Sequence, residues 1–461
     1  MRKAITYILP LLLLFQYSCK KFVEVDLPIN EYAGSQVFKT DVAALSVVSG
    51  IYSEMMNSSG FASGGVSSIT VLGGRSADEF TNYTSSGALA SDFSLNNIQP
   101  VNTTLKSDLW DRPYRYIYQA NTLMEGLAKS VEISAPLKKQ LNAEAKFIRG
   151  FCYFYLVNLF GDVPLALTTD YAKNNSLSRS GVSGVYAQVI ADITDAQNDL
   201  ADDYSFCQNE RVRPNKWAAT ALLARIYLYQ KDWAKAEALS TSVINKTSLY
   251  SLVTNLNDIF LKNSNEAIWQ LMPVAPGKNT SEAPFFVITG TPVNVGLSTQ
   301  LMNAFDPSDK RRDNWVNSFT NANGTFYYPY KYKIWQTNQP VTEYSMVLRL
   351  AEQYLVRAEA RAQQDKIVAA QEDLNAIRTR AGLDNTTAND KPSLLLAIEH
   401  ERQVELFTEW GHRWFDLKRT NRATTVLAPI KGATWQATDV LYPIPLADMS
   451  NNPNLSQNPG Y

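Results

Sequence analysis

Two alanines twelve residues apart, found twice, constrain this chain more than any other feature. In residues 215–245, "NKWAATALLARIYLYQKDWAKAEALSTSVIN", two helical patterns meet at a tight turn, Lys231-Asp232. Ala224 and Ala236 stand where two antiparallel helices would cross closely, with Tyr227 and Trp233 as the bulky packers beside the crossing. Residues 355–383, "LVRAEARAQQDKIVAAQEDLNAIRTRAGL", repeat the spacing with Ala358 and Ala370. One such pair is unremarkable in an Ala-rich helix. Two, each with a turn in the middle, predict helical hairpins of tetratricopeptide type. Such units cannot bury their apolar faces alone and stack into a curved array.

The rest of the chain is patterned to match. Residues 41–56 form an amphipathic helix with Asp41 as N-cap and Ala44, Leu45, Val48 and Tyr52 on one face. Further helices are expected from Trp110 to about Ala128, over residues 137–159, and over 393–407. The second of these is stopped by Gly161 with Pro164 just beyond. Two segments break the pattern, at about 57–108 and 250–345. The first is rich in Gly, Ser, Asn and Thr, the second in Asn, Gly, Pro and aromatics. A long irregular stretch inside a compact protein is uncommon and usually functional. Loops on a rigid scaffold are where binding residues concentrate.

The chain begins with Arg2, Lys3 and an apolar run from Ile5 to Phe15, closed by "LFQYSCKKF". A basic start and an apolar run of about 7–15 residues describe a secretory signal, too short for the roughly 20 residues that span a bilayer. The plain expectation is cleavage near Ser18. The sharper one is that residues 1–18 are removed and Cys19 becomes the lipid-bearing first residue of a bacterial lipoprotein. Small Ser18 fits that role; Gln16 departs from the aliphatic residue usual at its position. Cys152 and Cys207 remain, and Cys152 sits in so apolar a run that a free buried thiol is expected over a disulfide.

Chemistry is mostly excluded. Without Arg2 and Lys3 the chain carries 41 basic against 44 acidic residues, with no basic stripe, which argues against nucleic acid. His400-Glu401-Arg402-Gln403-Val404 fails as a zinc protease motif because Val404 replaces the second histidine. Gly181-Val182-Ser183-Gly184-Val185 fails as a nucleophile elbow at Val185, and neither a phosphate-binding loop nor a dinucleotide fingerprint is present. Carboxylates in "EHERQVELFTEWGHRWFDLKR" interleave with Arg402, Arg413 and Arg419, which reads as ion pairing. No catalytic residue, cofactor or metal is called for. What remains is the aromatics. Sugar rings present apolar faces on which flat side chains stack, while Asn, Gln, Asp and Arg bond the hydroxyls. Loop aromatics able to do this include Tyr83, Phe93, Phe285, Phe286, Trp315, Tyr327, Tyr328, Tyr330, Tyr332 and Trp335.

Several unlinked motifs, in order, resemble the SusD/RagB family of Bacteroidetes outer-membrane lipoproteins. They are "SCKKF", "RSADEF", "AEAKFIRGFCYFYLVNLFGDVPL", "NKWAATALLARIYLYQKDWAKAEA", "RLAEQYLVRAEARA", "LNAIRTRAGL", "ERQVELFTEWGHRWFDLKRT" and the closing "YPIPLADMSNNPNLSQNPGY". The resemblance implies a mainly α, tetratricopeptide-like superhelical domain over 41–461, preceded by a lipidated extended leader at 19–40. It implies a non-enzymatic, surface-exposed glycan-binding lipoprotein. Anchored in the outer membrane through Cys19 and facing the cell exterior, it would hand oligosaccharide to a SusC-type TonB-dependent transporter. The alternative is a peptide-binding import component of the RagB type; a hydrolase and a pure adaptor are the remaining rivals. By the family's logic the candidate ligand residues are Tyr83, Phe93, Phe286, Trp315 and Trp335, with Arg75 and Asn82 as polar neighbours. Trp315 follows Lys310-Arg311-Arg312-Asp313 and reads equally as the shield of an ion-pair cluster.

Overall fold

The computed structural model describes residues 37–57, 60–85 and 87–461. The signal segment, Cys19 and all but the last four leader residues lie outside the described residues. Helix accounts for 54% of the structure and strand for 8%, so the fold is mainly α.

Eleven helices carry the architecture: α1 (Asp41–Asn57), α2 (Ile69–Ser76), α3 (Arg112–Lys129), α4 (Ala135–Phe160), α5 (Val182–Asp199), α6 (Lys216–Tyr229), α7 (Trp233–Ile244), α8 (Leu350–Gln363), α9 (Ile367–Arg380), α10 (Lys391–Glu405) and α11 (His412–Arg419). From α3 to α11 each packs against the next, and α11 returns to α2. Asn215 caps α6 by accepting the N–H groups of Trp217 and Ala218 at 3.0 and 2.9 Å. Lys231 turns the chain with φ +59°, and Asp232 caps α7 by accepting the Lys235 N–H at 3.2 Å. Asp365, φ +60°, makes the equivalent turn between α8 and α9. Ala224, Ala236, Ala358 and Ala370 are all fully buried, so both expected helical hairpins form. The cap expected at Asp41 is displaced by one residue. Thr40 Oγ1 accepts from Ala43 N at 3.2 Å, while the Asp41 carboxylate reaches across to Ser134 N and Oγ at 2.9 and 2.6 Å.

Helix α7 packs on α8 although 105 residues separate them in sequence. The hairpins therefore stack directly, and everything between them is looped out. Glu237 ties the stack together by binding Arg361 and Lys366 at 3.1 and 2.6 Å. The buried Arg225–Glu352 fork, both bonds 2.6 Å, does the same between α6 and α8.

The looped-out segment is not structureless. Strands β2 (Ala267–Leu271) and β6 (Ser345–Arg349) lie near its two ends and pair antiparallel, from Ala267↔Arg349 to Leu271↔Ser345. Trp269 in β2 is fully buried and meets Phe147 and Phe151 of α4, which plants the insertion on the helical array. Within it, β4 (Val316–Asn321) and β5 (Gly324–Pro329) form a hairpin. Strand β3 (Val295–Leu297) pairs with β1 (Phe80–Asn82), so the two loop-rich segments read separately in the sequence form one structural region.

A buried ion network fastens that region to the C-terminal helices. Glu405 accepts from Arg349 at 2.5 Å, from Arg311 at 2.9 Å and from Arg380. Burial opposes its charge, yet the guanidiniums of Arg380, Arg349 and Arg311 hold its carboxyl well below the usual range. Glu409 binds Arg349 and Lys331 at 2.8 and 2.5 Å. The ion pairing expected of the 399–419 motif is present: Arg402 binds Asp416 at 2.7 Å, and Arg413 binds Asp78 through two bonds of 2.8 Å. Cys152 and Cys207 are both free thiols. Burial pushes the Cys207 thiol up to about 12.

Candidate functional site

Two loops of the insertion, at 273–284 and 334–343, face each other across an open groove of about 280 Å³. Pro273 and Pro340 interrupt regular structure in the two loops, and the first loop ends in a short helical turn, Glu282–Phe286, that contains Pro284. Gly277 turns one loop with φ +70° and Asn338 the other with φ +60°. The Asn338 N–H donates to the Gly277 carbonyl at 2.6 Å. Asn279 completes the clasp: its Oδ1 accepts the N–H groups of Thr342 and Glu343 at 2.8 and 3.0 Å, and its Nδ2 donates to Pro340 O at 3.1 Å. Beneath, the buried Glu343 carboxylate accepts the N–H groups of Lys333 and Ile334 at 2.7 and 3.1 Å. Burial raises its pKa, and those two bonds work against the rise. Every one of these bonds fixes the backbone on either side of Trp335.

Trp335 is 39% exposed and lines the groove with Asn279, Ser281, Gln336, Thr337 and Met56 of α1. An indole held half-open beside amide and hydroxyl groups can stack on a flat apolar face while neighbours bond a ring of hydroxyls. Among the described residues no group of three or more His, Cys, Asp or Glu side chains could hold a metal ion.

The other sequence candidates do not line this groove. Phe93 is fully buried and sits edge-to-face with Tyr442 at 5.6 Å, so it packs the core and offers no platform. Phe286, 3% exposed, packs on Phe80 and Phe285. Trp315 is fully buried, its indole N–H donated to Leu256 O at 2.9 Å and its ring under the Lys331 ammonium at 4.8 Å. It is the shield of the ion cluster. Arg75 is likewise removed from the list: it is 1% exposed and its Nη groups are spent on Asn82, Ser94 and Thr84 at 2.6, 3.1 and 2.9 Å. Burial lowers its guanidinium to about 10. Asn82 is the partner of Arg75 rather than a free polar group, though it stays partly exposed. Tyr83, also partly exposed, lies edge-to-face with Phe326 of β5 at 5.6 Å and bridges the β1–β3 pair to the hairpin. Sequence reasoning missed Asn279, Ser281, Gln336 and Met56. Asn279, Ser281 and Gln336 carry one signal, membership of the Asn-, Gly- and Pro-rich stretch around Trp335; Met56, in α1, carries none.

A family model described as starch-binding and associating with the outer membrane matches residues 63–228, and the SusD family model matches 299–461. Among curated proteins, the chain is 27% identical to SusD-like protein P25 of Formosa agariphila over 95% of each chain. It is 26% identical to the starch-binding protein SusD of Bacteroides thetaiotaomicron, over 69% of this chain and 72% of that one. Among solved structures, a laminarin-binding SusD-like protein superimposes with a TM-score of 0.77 at 26% identity, covering 92% of this chain and 100% of the other. A SusD-superfamily protein of Bacteroides vulgatus reaches 0.81 at 21% identity over 92% and 100%, which speaks for the fold. No helix among the described residues is long and apolar enough to cross a membrane. With both ends of the chain matched and the whole fold shared, the protein belongs to the SusD/RagB family.

Proposed function

We propose that this protein captures oligosaccharide on Trp335 and delivers it to a SusC-type TonB-dependent transporter of the outer membrane. The family is one of non-catalytic carbohydrate-binding proteins associated with that membrane. Residues 1–18 direct export, and Cys19 carries the lipid that holds the mature chain on the outer surface as residues 19–461. Two or more acyl chains suffice for this, at about 0.8 kcal/mol per buried CH₂. The observation that carries the reading is Trp335 itself: a large aromatic left 39% exposed by a loop pair otherwise locked by hydrogen bonds. The starch- and laminarin-binding relatives support a glucan as the first ligand to try.

Calorimetric titration against soluble glucans and other plant, host and microbial oligosaccharides, with peptide pools alongside, tests this. Saturable binding to one glycan class is expected. Saturable peptide binding with silence across the glycans would transfer the protein to the peptide-import reading.

A further inference from the structure

The two loops around Trp335 carry three ionisable side chains, Lys278, Glu282 and Glu343. Both carboxylates are turned inward. Glu282 is buried, and its Oε1 accepts the Ser345 hydroxyl at 2.5 Å. A Cβ built on Gly64 would lie 2.1 Å from its carboxyl carbon, so the backbone at Gly64 lies directly over that group and covers it. Glu343 is buried as well, with one oxygen taken by the Lys333 N–H and the other by the Ile334 N–H. Burial raises the pKa of both, Glu282 to about 7, which weakens the negative field they cast.

Lys278 is placed the other way. It is exposed, and among the described residues it is the one charged side chain that lines the groove. Its ammonium has no hydrogen bond or ion pair among the described residues. Its backbone is fixed, because Gly277 and Asn279 on either side both belong to the clasp and its own N–H donates to Ala275 O at 3.2 Å. A lone exposed lysine is ordinarily a solvated side chain. This one differs in being the sole charge in the wall of a groove whose two neighbouring carboxylates are sealed away, which leaves the groove with a positive potential. Ser281, Gln336 and Thr337 add only uncharged hydroxyl and amide groups. Trp335 and Lys278 share a space of about 280 Å³. A substituent on a stacked ring, or on the next one, therefore comes within the roughly 10 Å over which a charge acts at about 0.1 M salt.

We propose that Lys278 makes this groove select anionic oligosaccharides, with the acidic group on the ammonium and the ring that bears it, or its neighbour, on Trp335. Two sources share that chemistry, a uronate carboxylate and a sulfate ester. The ammonium is a compact charge on a flexible stem, so it accepts either anion without demanding one angle of approach. This inference rests on the glycan reading of Trp335.

Laminarin oligosaccharides, the same oligosaccharides oxidised at C6 to uronates, and their sulfate esters keep one backbone and change its charge. The test is calorimetric titration of the purified protein with each of the three. An exposed ion pair contributes modestly, so the anionic forms should bind about three- to five-fold more tightly than the neutral one in dilute salt. That preference should shrink in about 0.5 M NaCl, where exposed charges are screened. The tighter of the two anionic forms identifies the acidic group. Lys278→Gln should bring charged and neutral forms to equal affinity, and Lys278→Arg should keep the preference. Equal binding of charged and neutral forms by the parent, or a preference untouched by Lys278→Gln, would overturn the assignment and leave glycan capture by Trp335 standing. Silence from every glycan would remove both.

Discussion

The Asn338 N–H donates to the Gly277 carbonyl at 2.6 Å, closing the two loops that hold Trp335 half-open. Gly277 has φ +70°, and a Cβ built on it would lie 2.7 Å from Asn338 Oδ1 and 3.2 Å from Asn338 N. Gly277→Ala therefore meets both a left-handed backbone and a backbone neighbour. We expect a loss of about 1–2 kcal/mol in denaturant unfolding and weaker glycan binding. Gly432→Ala is the control, since φ there is +63° but none of the described residues lies within 4 Å of the added Cβ. It should lose stability alone.

Two tryptophans that look alike in the sequence should behave oppositely. Trp315 is fully buried with a satisfied indole N–H, so Trp315→Ala should cost about 3–5 kcal/mol of stability. Trp335→Ala removes a half-exposed ring and should stay within about 1 kcal/mol of the parent. Thermal unfolding of the two variants distinguishes them, and equal losses would contradict the assignment of Trp335 to the surface of a groove.

That contrast shows where the sequence was legible. Alanine spacing and the Gly161 stop reveal α4 and the two hairpins because helix packing is local and periodic. Family motifs such as "RSADEF" and "ERQVELFTEWGHRWFDLKRT" are visible too, but their pairing is not. Asp78 and Arg413 stand 335 positions apart and meet only through tertiary structure. Exposure of a loop aromatic has no periodicity to betray it. Phe93, Phe286 and Trp315 therefore read like Trp335, until tertiary packing places them inside: Phe93 against Tyr442, Phe286 against Phe80 of β1, and Trp315 under Lys331 of the ion network.

The Asp78–Arg413 fork joins the N-terminal motif to the C-terminal one while almost fully buried. Asp78→Ala leaves that guanidinium with only a 3.5 Å contact to Glu399. A loss of about 3–5 kcal/mol is expected. Adding Arg413→Met should recover part of it, read from chemical denaturation of both variants; a double variant no better than the single one would show that the fork is not the cause.

Glu79 lies next to that fork, fully buried, with Oε1 accepting the Thr408 N–H at 3.1 Å and Oε2 without a partner among the described residues. Burial raises its pKa from 4.5 to about 8. The folded state thus binds a proton that the unfolded chain releases near pH 4.5. Its stabilising contribution is complete below that pH and is lost as pH rises through about 8. Glu79→Gln should flatten the decline between pH 4.5 and 8 and be the more stable protein at pH 8, by a margin of order 2–4 kcal/mol. Parallel pH–stability curves for parent and variant would refute this.

The central claim is that Trp335 is the sugar-stacking platform. The most direct measurement is calorimetric titration of parent and Trp335→Ala with the glycan that the panel selects, laminarin oligosaccharides first. The account predicts saturable binding by the parent and at least a ten-fold loss, about 1.4 kcal/mol or more, in a variant of unchanged thermal stability. Unaltered affinity in Trp335→Ala would place the glycan elsewhere on the protein and contradict the account.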